Sequence, residues 1–245
     1  MNEITSVQNN LVKETVKLHQ KKYREDLILL EGLKAVEGAI LSNLKIKYII
    51  SDDEKTAAKY KNYDIYLASE AVMKKISTTE SPSNIIAVTK KPKYSINDFF
   101  KFKKIALLDN IKDAGNLGTI IRACCAFNIE GILLYGDTVD EFSPKVIRSA
   151  AGNIFKIPIL KTTTGELEQF KKTHRFIATV VNSNKTIEEY KKIDSKIIVM
   201  FGSEANGLCK ELLNLSDEKL TVKMSNNVES LNLAVCTGIV LYVLQ

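Results

Sequence analysis

The sequence predicts an α/β protein in two parts, the second built on a parallel sheet covered on both faces. Three segments of the second half carry that prediction, each running a β-branched apolar stretch into a loop of Gly, Asn, Ser and acidic residues. They are residues 105–108 into 109–118, 197–201 into 202–208, and 220–224 into 225–232. A helical pattern follows every one of these loops. Continuous apolar strands alternating with helices mark a parallel sheet buried on both sides. Ligands of such sheets bind at the carboxyl ends of the strands, so the three loops are expected to share one site.

The elements follow in order. Val7, Leu11 and Leu18 fall on one helical stripe and Lys13, Lys17 and Lys21 on another. This predicts an amphipathic N-terminal helix whose basic stripe either lies along RNA or is simply solvated. Residues 27–30 and 48–50 read as strands around a helix over Leu33–Leu41, and 85–89 as a strand after a helix near Glu70–Ile76. Residues 90–104 interleave six lysines with Pro92, Tyr94, Phe99, Phe100 and Phe102. The reading is a basic linker at 94–104 that either touches single-stranded RNA or packs as a short helix. Beyond it, strands are expected at 105–108, 132–135, 176–181, 197–201 and 220–224. The final apolar run, 231–244, is shorter than the roughly 20 residues of a membrane span. Asn232, Thr237 and Gly238 interrupt it, so it reads as a helix buried in protein, with Ser230 as a natural N-cap.

Composition narrows the function. The 245 residues are 45% hydrophobic with a mean hydropathy of −0.06, as in soluble globular proteins of one or two domains. No basic segment followed by an apolar run opens the chain, so no export signal is expected. The cysteines (Cys124, Cys125, Cys209, Cys236) form no C-x-x-C and read as small buried thiols in a reducing cytoplasm. Residues 1–104 hold 19 Lys+Arg against 13 Asp+Glu, whereas 105–245 hold 16 of each. All the excess positive charge therefore lies in the half without the three loops, as for a phosphate-rich partner docking on one part while the other does chemistry.

Only two histidines occur, His19 and His174, and neither lies in a loop. Histidine triads and histidine metal sites are thereby disfavoured. No G-x-x-x-x-G-K-[ST] appears and no G-x-G-x-x-G follows a strand, which argues against nucleotide-hydrolysing and dinucleotide sites. A pocket of backbone groups with Asn, Ser, Glu and Arg is left, suited to a polar small molecule. Arg122 is one of 4 arginines against 31 lysines, which points to a need for a planar, forked donor. Helical side chains lean toward their N-terminus, so Arg122 is expected to reach back over Gly118 and Thr119. An ordinary surface ion pair is the alternative. Gly202 and Gly207 flank Glu204, permitting a tight turn that presents a carboxylate to a donor-rich ligand.

Together the loops resemble the signature motifs of the SpoU (TrmH-like) branch of the SPOUT RNA methyltransferases. L-D-N-I-K-D-A-G-N-L-G-T-I-I-R (108–122) is similar to D-x-x-x-D-P-x-N-x-G-x-x-x-R, and I-V-M-F-G-S-E-A-N-G-L (198–208) to a strand followed by G-N-E-x-x-G. V-K-M-S-N-N-V-E-S-L-N-L-A (222–234) is similar to I-P-M-x-G-x-x-x-S-L-N-V-S. Residues 24–90, chiefly E-G-L-K-A-V (31–36), resemble the family's small RNA-recognition domain, which is like certain ribosomal proteins.

The resemblance implies a recognition domain at 1–93, the linker at 94–104 and a SPOUT domain with a deep trefoil knot at 105–245. It implies a homodimer that binds S-adenosylmethionine, without metal or membrane, and methylates a ribose 2′-hydroxyl of ribosomal or transfer RNA. Asn116, Arg122, Glu204, Ser230 and Asn232 would be its catalytic residues, and Gly202, Glu204, Gly207, Val222, Met224 and Leu231 would hold the cofactor. A 2′-hydroxyl is a poor nucleophile, and with no histidine at hand Arg122 is the candidate activator, directly or through a neighbouring phosphate. Ala114, Ser203 and Lys223 replace the family's proline, asparagine and proline. Asn226 replaces a glycine where φ > 0 is expected, a conformation Asn tolerates better than most residues. These departures leave a second reading open, a non-catalytic RNA-binding or ribosome-assembly factor of the same fold.

Overall fold

Apolar stretches of this chain form strands that sort into two sheets, one mixed and one wholly parallel. The computed structural model describes residues 2–190, 195–225, 227 and 229–245. In chain order the first elements are β1 (Asn2–Ile4), α1 (Asn10–Lys17), β2 (Leu27–Glu31), α2 (Leu33–Leu41) and β3 (Ile46–Ser51). Then come α3 (Glu54–Lys59), β4 (Ile65–Ala68), α4 (Glu70–Ile76), β5 (Ile85–Lys90), α5 (Ile96–Phe99) and β6 (Lys104–Asp109). α6 (Ala114–Ala126), β7 (Gly131–Tyr135), α7 (Pro144–Ser149), β8 (Ile159–Thr162), α8 (Thr164–Phe170) and β9 (His174–Thr179) follow. β10 (Lys196–Phe201), α9 (Lys210–Leu215), β11 (Glu218–Leu220) and α10 (Leu233–Leu244) complete the series. One unit comprises Met1–Lys93 with Phe142–Lys156, the other Tyr94–Glu141 with Ile157–Gln245.

In the first unit the strand order is β1-β4-β3-β5-β2, with β5 antiparallel to both neighbours. Leu29, Tyr48, Ile50, Ile86 and Val88 form a core with Val72 and Met73 of α4 and Val12 of α1. The N-terminal helix starts later than its apolar spacing predicts. Asn9 caps it by accepting from the Leu11 N–H at 2.8 Å, which sets the phase so that Val12 and Thr15 face inward. Val7 lies before the helix and is exposed, while Lys13, Lys17 and Lys21 all face solvent.

α7 lies between β7 and β8 in sequence, yet residues 142–156 belong to the first unit rather than to the half in which the sequence places them. Two features hold them there. Gly152, at φ +81, comes so close to α2 that a Cβ on it would stand 2.3 Å from the Lys34 carbonyl oxygen. Arg148 donates to the Thr78 hydroxyl and approaches Glu31 at 3.4 Å. The Glu31 side chain, 1% exposed, also accepts from Ser77 Oγ at 2.5 Å, Thr78 N–H at 3.0 Å and Thr79 Oγ1 at 3.0 Å. With this segment the first unit carries 19 Lys+Arg against 12 Asp+Glu and the second 16 against 17, so the charge separation is sharper by unit than by sequence half.

The second sheet runs β11-β9-β10-β6-β7-β8, and every pairing is parallel. Ile105 to Leu108 of β6 and Ile198 to Phe201 of β10 are wholly buried, which explains their unbroken apolar runs. Residues 94–104 do not form a bare linker. Phe99 is fully buried in this core and Phe100 stacks on Phe170 at 4.3 Å, so these aromatics pack within the protein. β9 starts two residues before its expected position and stops at Thr179. β11 ends at Leu220, and Val222 to Met224 leave the sheet once Thr221 bonds the Lys185 carbonyl at 3.0 Å. No described helix is long and apolar enough to cross a membrane.

Burial pushes the Glu31 carboxyl up, but the Ser77, Thr78 and Thr79 hydrogen bonds outweigh it and hold the group below its ordinary value of 4.5. A carboxyl with a lowered folded pKa contributes stability above the unfolded pKa and loses it as pH falls through the folded pKa. Glu31→Gln should therefore lower Tm at pH 7 by about 3–8 °C. The gap should close as the pH is taken below 4.5. Circular dichroism melts across that range check this, and a gap independent of pH would place the stabilisation elsewhere.

Candidate active site

β6 and β10 lie side by side, so the loops leaving their carboxyl ends are neighbours. After β10 the chain closes on itself: the Ser203 N–H donates to the Gly207 carbonyl at 3.0 Å and the Gly207 N–H to the Ser203 carbonyl at 2.9 Å. Gly207 sits at φ +65, and a Cβ on Gly202 would meet the Gly207 carbonyl carbon at 2.0 Å, so neither position accepts a side chain without distortion. Ser203, where the family has asparagine, accepts from the Asn206 N–H at 3.3 Å and belongs to the turn itself. The turn carries Glu204 at its exposed tip.

Asp113 caps α6 by accepting from the Asn116 N–H at 2.7 Å. Asn116 Nδ2 then donates to the Glu204 carboxylate, and Asn116 Oδ1 accepts from Asn232 Nδ2 at 3.1 Å. Asn232 Oδ1 in turn accepts from the N–H groups of Ala234 at 3.0 Å and Val235 at 3.3 Å. Asn232, not Ser230, is therefore the N-cap of α10. Its side-chain carbonyl reaches the first free N–H groups of a helix that starts at Leu233. These bonds join all three loops in one chain from Glu204 through Asn116 to Asn232. Each amide has one orientation that satisfies both neighbours.

A cavity of about 390 Å³ opens beside this chain, within the size range of small-molecule sites. Gly202, Glu204, Gly207, Val222, Met224 and Leu231 all line it, as does Ser230. Val180, Leu208, Leu213 and Leu233 give it apolar walls suited to a flat ring, while the backbone of the glycine turn supplies polar edges. A larger cleft of about 760 Å³ shares Val222 and Met224 but does not touch the turn between Gly202 and Gly207, so the smaller cavity is the candidate site.

Sequence patterns do not reveal the contributions of Val180 and Cys236, which depend on tertiary placement. Burial raises the thiol pKa of Cys236, which disfavours a thiolate there. Neither histidine lines this cavity: His19 bonds the Ile76 carbonyl at 2.9 Å and His174 the Phe102 carbonyl at 2.9 Å.

Arg122 stands on the exposed side of α6, away from the cavity lining, with no hydrogen bond or ion pair among the described residues. Gly118 is buried in the same helix. The surface ion pair considered for Arg122 is not formed among the described residues. Ala114 is buried in the first turn of α6, and Lys223 is exposed. Asn226 lies outside the described residues.

Comparison with known proteins places this geometry in a lineage. The profile of the SpoU rRNA Methylase family matches residues 103–242, and that of an MRM3-like substrate binding domain matches residues 9–87. An uncharacterized tRNA/rRNA methyltransferase of Synechocystis is 33% identical over 98% of this chain and 92% of its own length. The 23S rRNA (guanosine(2553)-2′-O)-methyltransferase of Bacillus subtilis is 32% identical, with both chains covered completely. Among solved structures, an rRNA methyltransferase of Sinorhizobium meliloti, also determined with S-adenosylmethionine bound, superposes with a TM-score of 0.89. It shares 29% identity and covers 99% of this chain and 96% of its own. The chain belongs to the SpoU rRNA methylase family.

Proposed function

We propose that this protein transfers a methyl group from S-adenosylmethionine to a ribose 2′-hydroxyl of ribosomal RNA, with transfer RNA the alternative substrate. The observation that carries this reading is the cavity lined by the loops after β10 and β11, beside the Glu204–Asn116–Asn232 chain that ties both loops to the start of α6. A relative matched from end to end and named for 2′-O-methylation of 23S rRNA supports the choice of substrate.

Gly202, Glu204, Gly207, Val222, Met224 and Leu231 would hold the cofactor, whose sulfonium supplies an electrophilic methyl group when bound. The apolar walls enclose its ring, and the turn around Glu204 recognises its polar edge. Asn116 and Asn232 lock that turn to the starts of α6 and α10, so little reorganisation accompanies binding. Ser230, which lines the cavity and is not the cap of α10, would hydrogen-bond the substrate. Arg122 activates the 2′-hydroxyl or grips the adjacent phosphate. Its position off its own chain's cavity fits an active site shared by two copies.

The first unit, with its excess of lysine and its exposed Lys13, Lys17 and Lys21, supplies RNA affinity through phosphate contacts. A cytoplasmic location is part of this reading. The deep trefoil knot expected of the family is part of this reading. So is a homodimer, supported by α10: Val235, Ile239, Tyr242 and Val243 form an exposed apolar stripe on one face.

Methyl transfer to ribosomal RNA should yield alkali-resistant dinucleotides, because a 2′-O-methyl group blocks strand cleavage; a labelled base with an unmodified ribose would refute the reaction. Arg122→Lys should bind S-adenosylhomocysteine nearly normally yet lose about 100-fold or more in single-turnover rate, since lysine keeps the charge but not the fork. Wild-type rates in that variant would remove Arg122 from catalysis. Absence of transfer to any RNA, with tight RNA binding retained, would favour the non-catalytic assembly factor. Light scattering at micromolar concentration should find a dimer, and Val235→Lys with Ile239→Lys should give a folded monomer. A wild-type monomer would contradict the shared site.

A further inference from the structure

We propose that Asp109 is a positioning residue for the cofactor cavity, acting through the backbone amide of Cys209; this rests on the reading of that cavity as the cofactor site. Asp109 is the last residue of β6 and is 1% exposed. A buried carboxylate persists only where hydrogen bonds replace its lost water. Its Oδ2 accepts from the Cys209 N–H at 2.7 Å and its Oδ1 from Asn110 Nδ2 at 2.6 Å.

Asn110 is itself pinned. It sits in the left-handed region at φ +54, its N–H donates to the Tyr135 carbonyl at 3.0 Å, and its Oδ1 accepts from the Asp137 N–H at 2.9 Å. The carboxylate is thus fixed to the joined ends of β6 and β7. Cys209 begins α9 and ends the segment that leaves β10 at Gly202 and walls the cavity. One end of that segment is held by the sheet ladder of β10, the other by Asp109. Bonds to a charged acceptor are about twice as strong as neutral ones, enough to hold a loop that has few apolar anchors besides Leu208. Loosening it should weaken cofactor binding and leave the transfer step intact once cofactor saturates.

The test is titration of the full-length protein with S-adenosylhomocysteine, beside steady-state methylation. Cys209 has φ −65, the value proline imposes, so Cys209→Pro deletes the donor without a new φ, although its Cδ must displace the Asp109 carboxylate from the amide. Asp109→Ala and Cys209→Pro should each weaken binding about 10-fold or more, raising KM while kcat changes little. Asp109→Asn, whose side-chain carbonyl still accepts from Cys209 but whose NH2 group opposes the Asn110 amide, should fall between wild type and Asp109→Ala. The double variant of Asp109→Ala and Cys209→Pro should be no weaker than either single one.

Wild-type affinity in Cys209→Pro would overturn the proposal even if Asp109→Ala failed to fold. So would a loss of kcat at unchanged affinity. A wild-type protein that binds no S-adenosylhomocysteine would instead sink the cofactor reading, and this proposal with it.

Discussion

β6 and β10 are neighbours in space, yet the chain adds β7 and β8 on one side of β6 before it places β9 and β10 on the other. Connections that leave such a pair diverge, and the sheet has a crevice at that point. Into it fall the start of α6, the turn between Gly202 and Gly207, and the start of α10. Both strands are apolar and buried on both faces, so their pairing lies wholly inside the core. The crevice is therefore a property of strand order, and the loops decide only what it binds.

Those loops are polar, so their stability depends on satisfying one another. The chain from Glu204 through Asn116 to the helix cap at Asn232 does so by direct bonds, and both amides have a partner on each side. Each of these solvent-exposed bonds is modest alone, and together they bias the three loops toward one arrangement. The first unit solves a different problem. It buries Glu31 beneath three hydroxyl-bearing residues and Arg148, and so fastens a segment that the chain takes from between two strands of the other unit. With that segment goes a further three positive charges, leaving the first unit basic and the second close to neutral.

The central strands were legible because burial on both faces writes itself as an unbroken apolar run. α2 and α4 were legible from period and flanks. β1, β4 and β8 were not: they have three to four residues each, too few to show a period. The capping box from Thr163 to Glu166 does announce α8, and through it the end of β8. Glycine chemistry identified the turn around Glu204, since only a tight closure needs both Gly202 and Gly207. Ser230 and Asn232 are equally good caps by composition, and only the backbone path selects Asn232. The placement of residues 142–156 and the partner of Asp109 rest on contacts between residues far apart in sequence, which no local pattern records.

Amide hydrogen exchange with and without S-adenosylhomocysteine tests the central claim most directly, because it locates the ligand without needing the RNA substrate. The account predicts slowed exchange at residues 202–209 and 221–235, where the turn, the cavity wall and the start of α10 meet. It predicts no change at residues 171–175, at the opposite end of the same sheet. Protection centred on that opposite end, or none at the glycine turn, would contradict it.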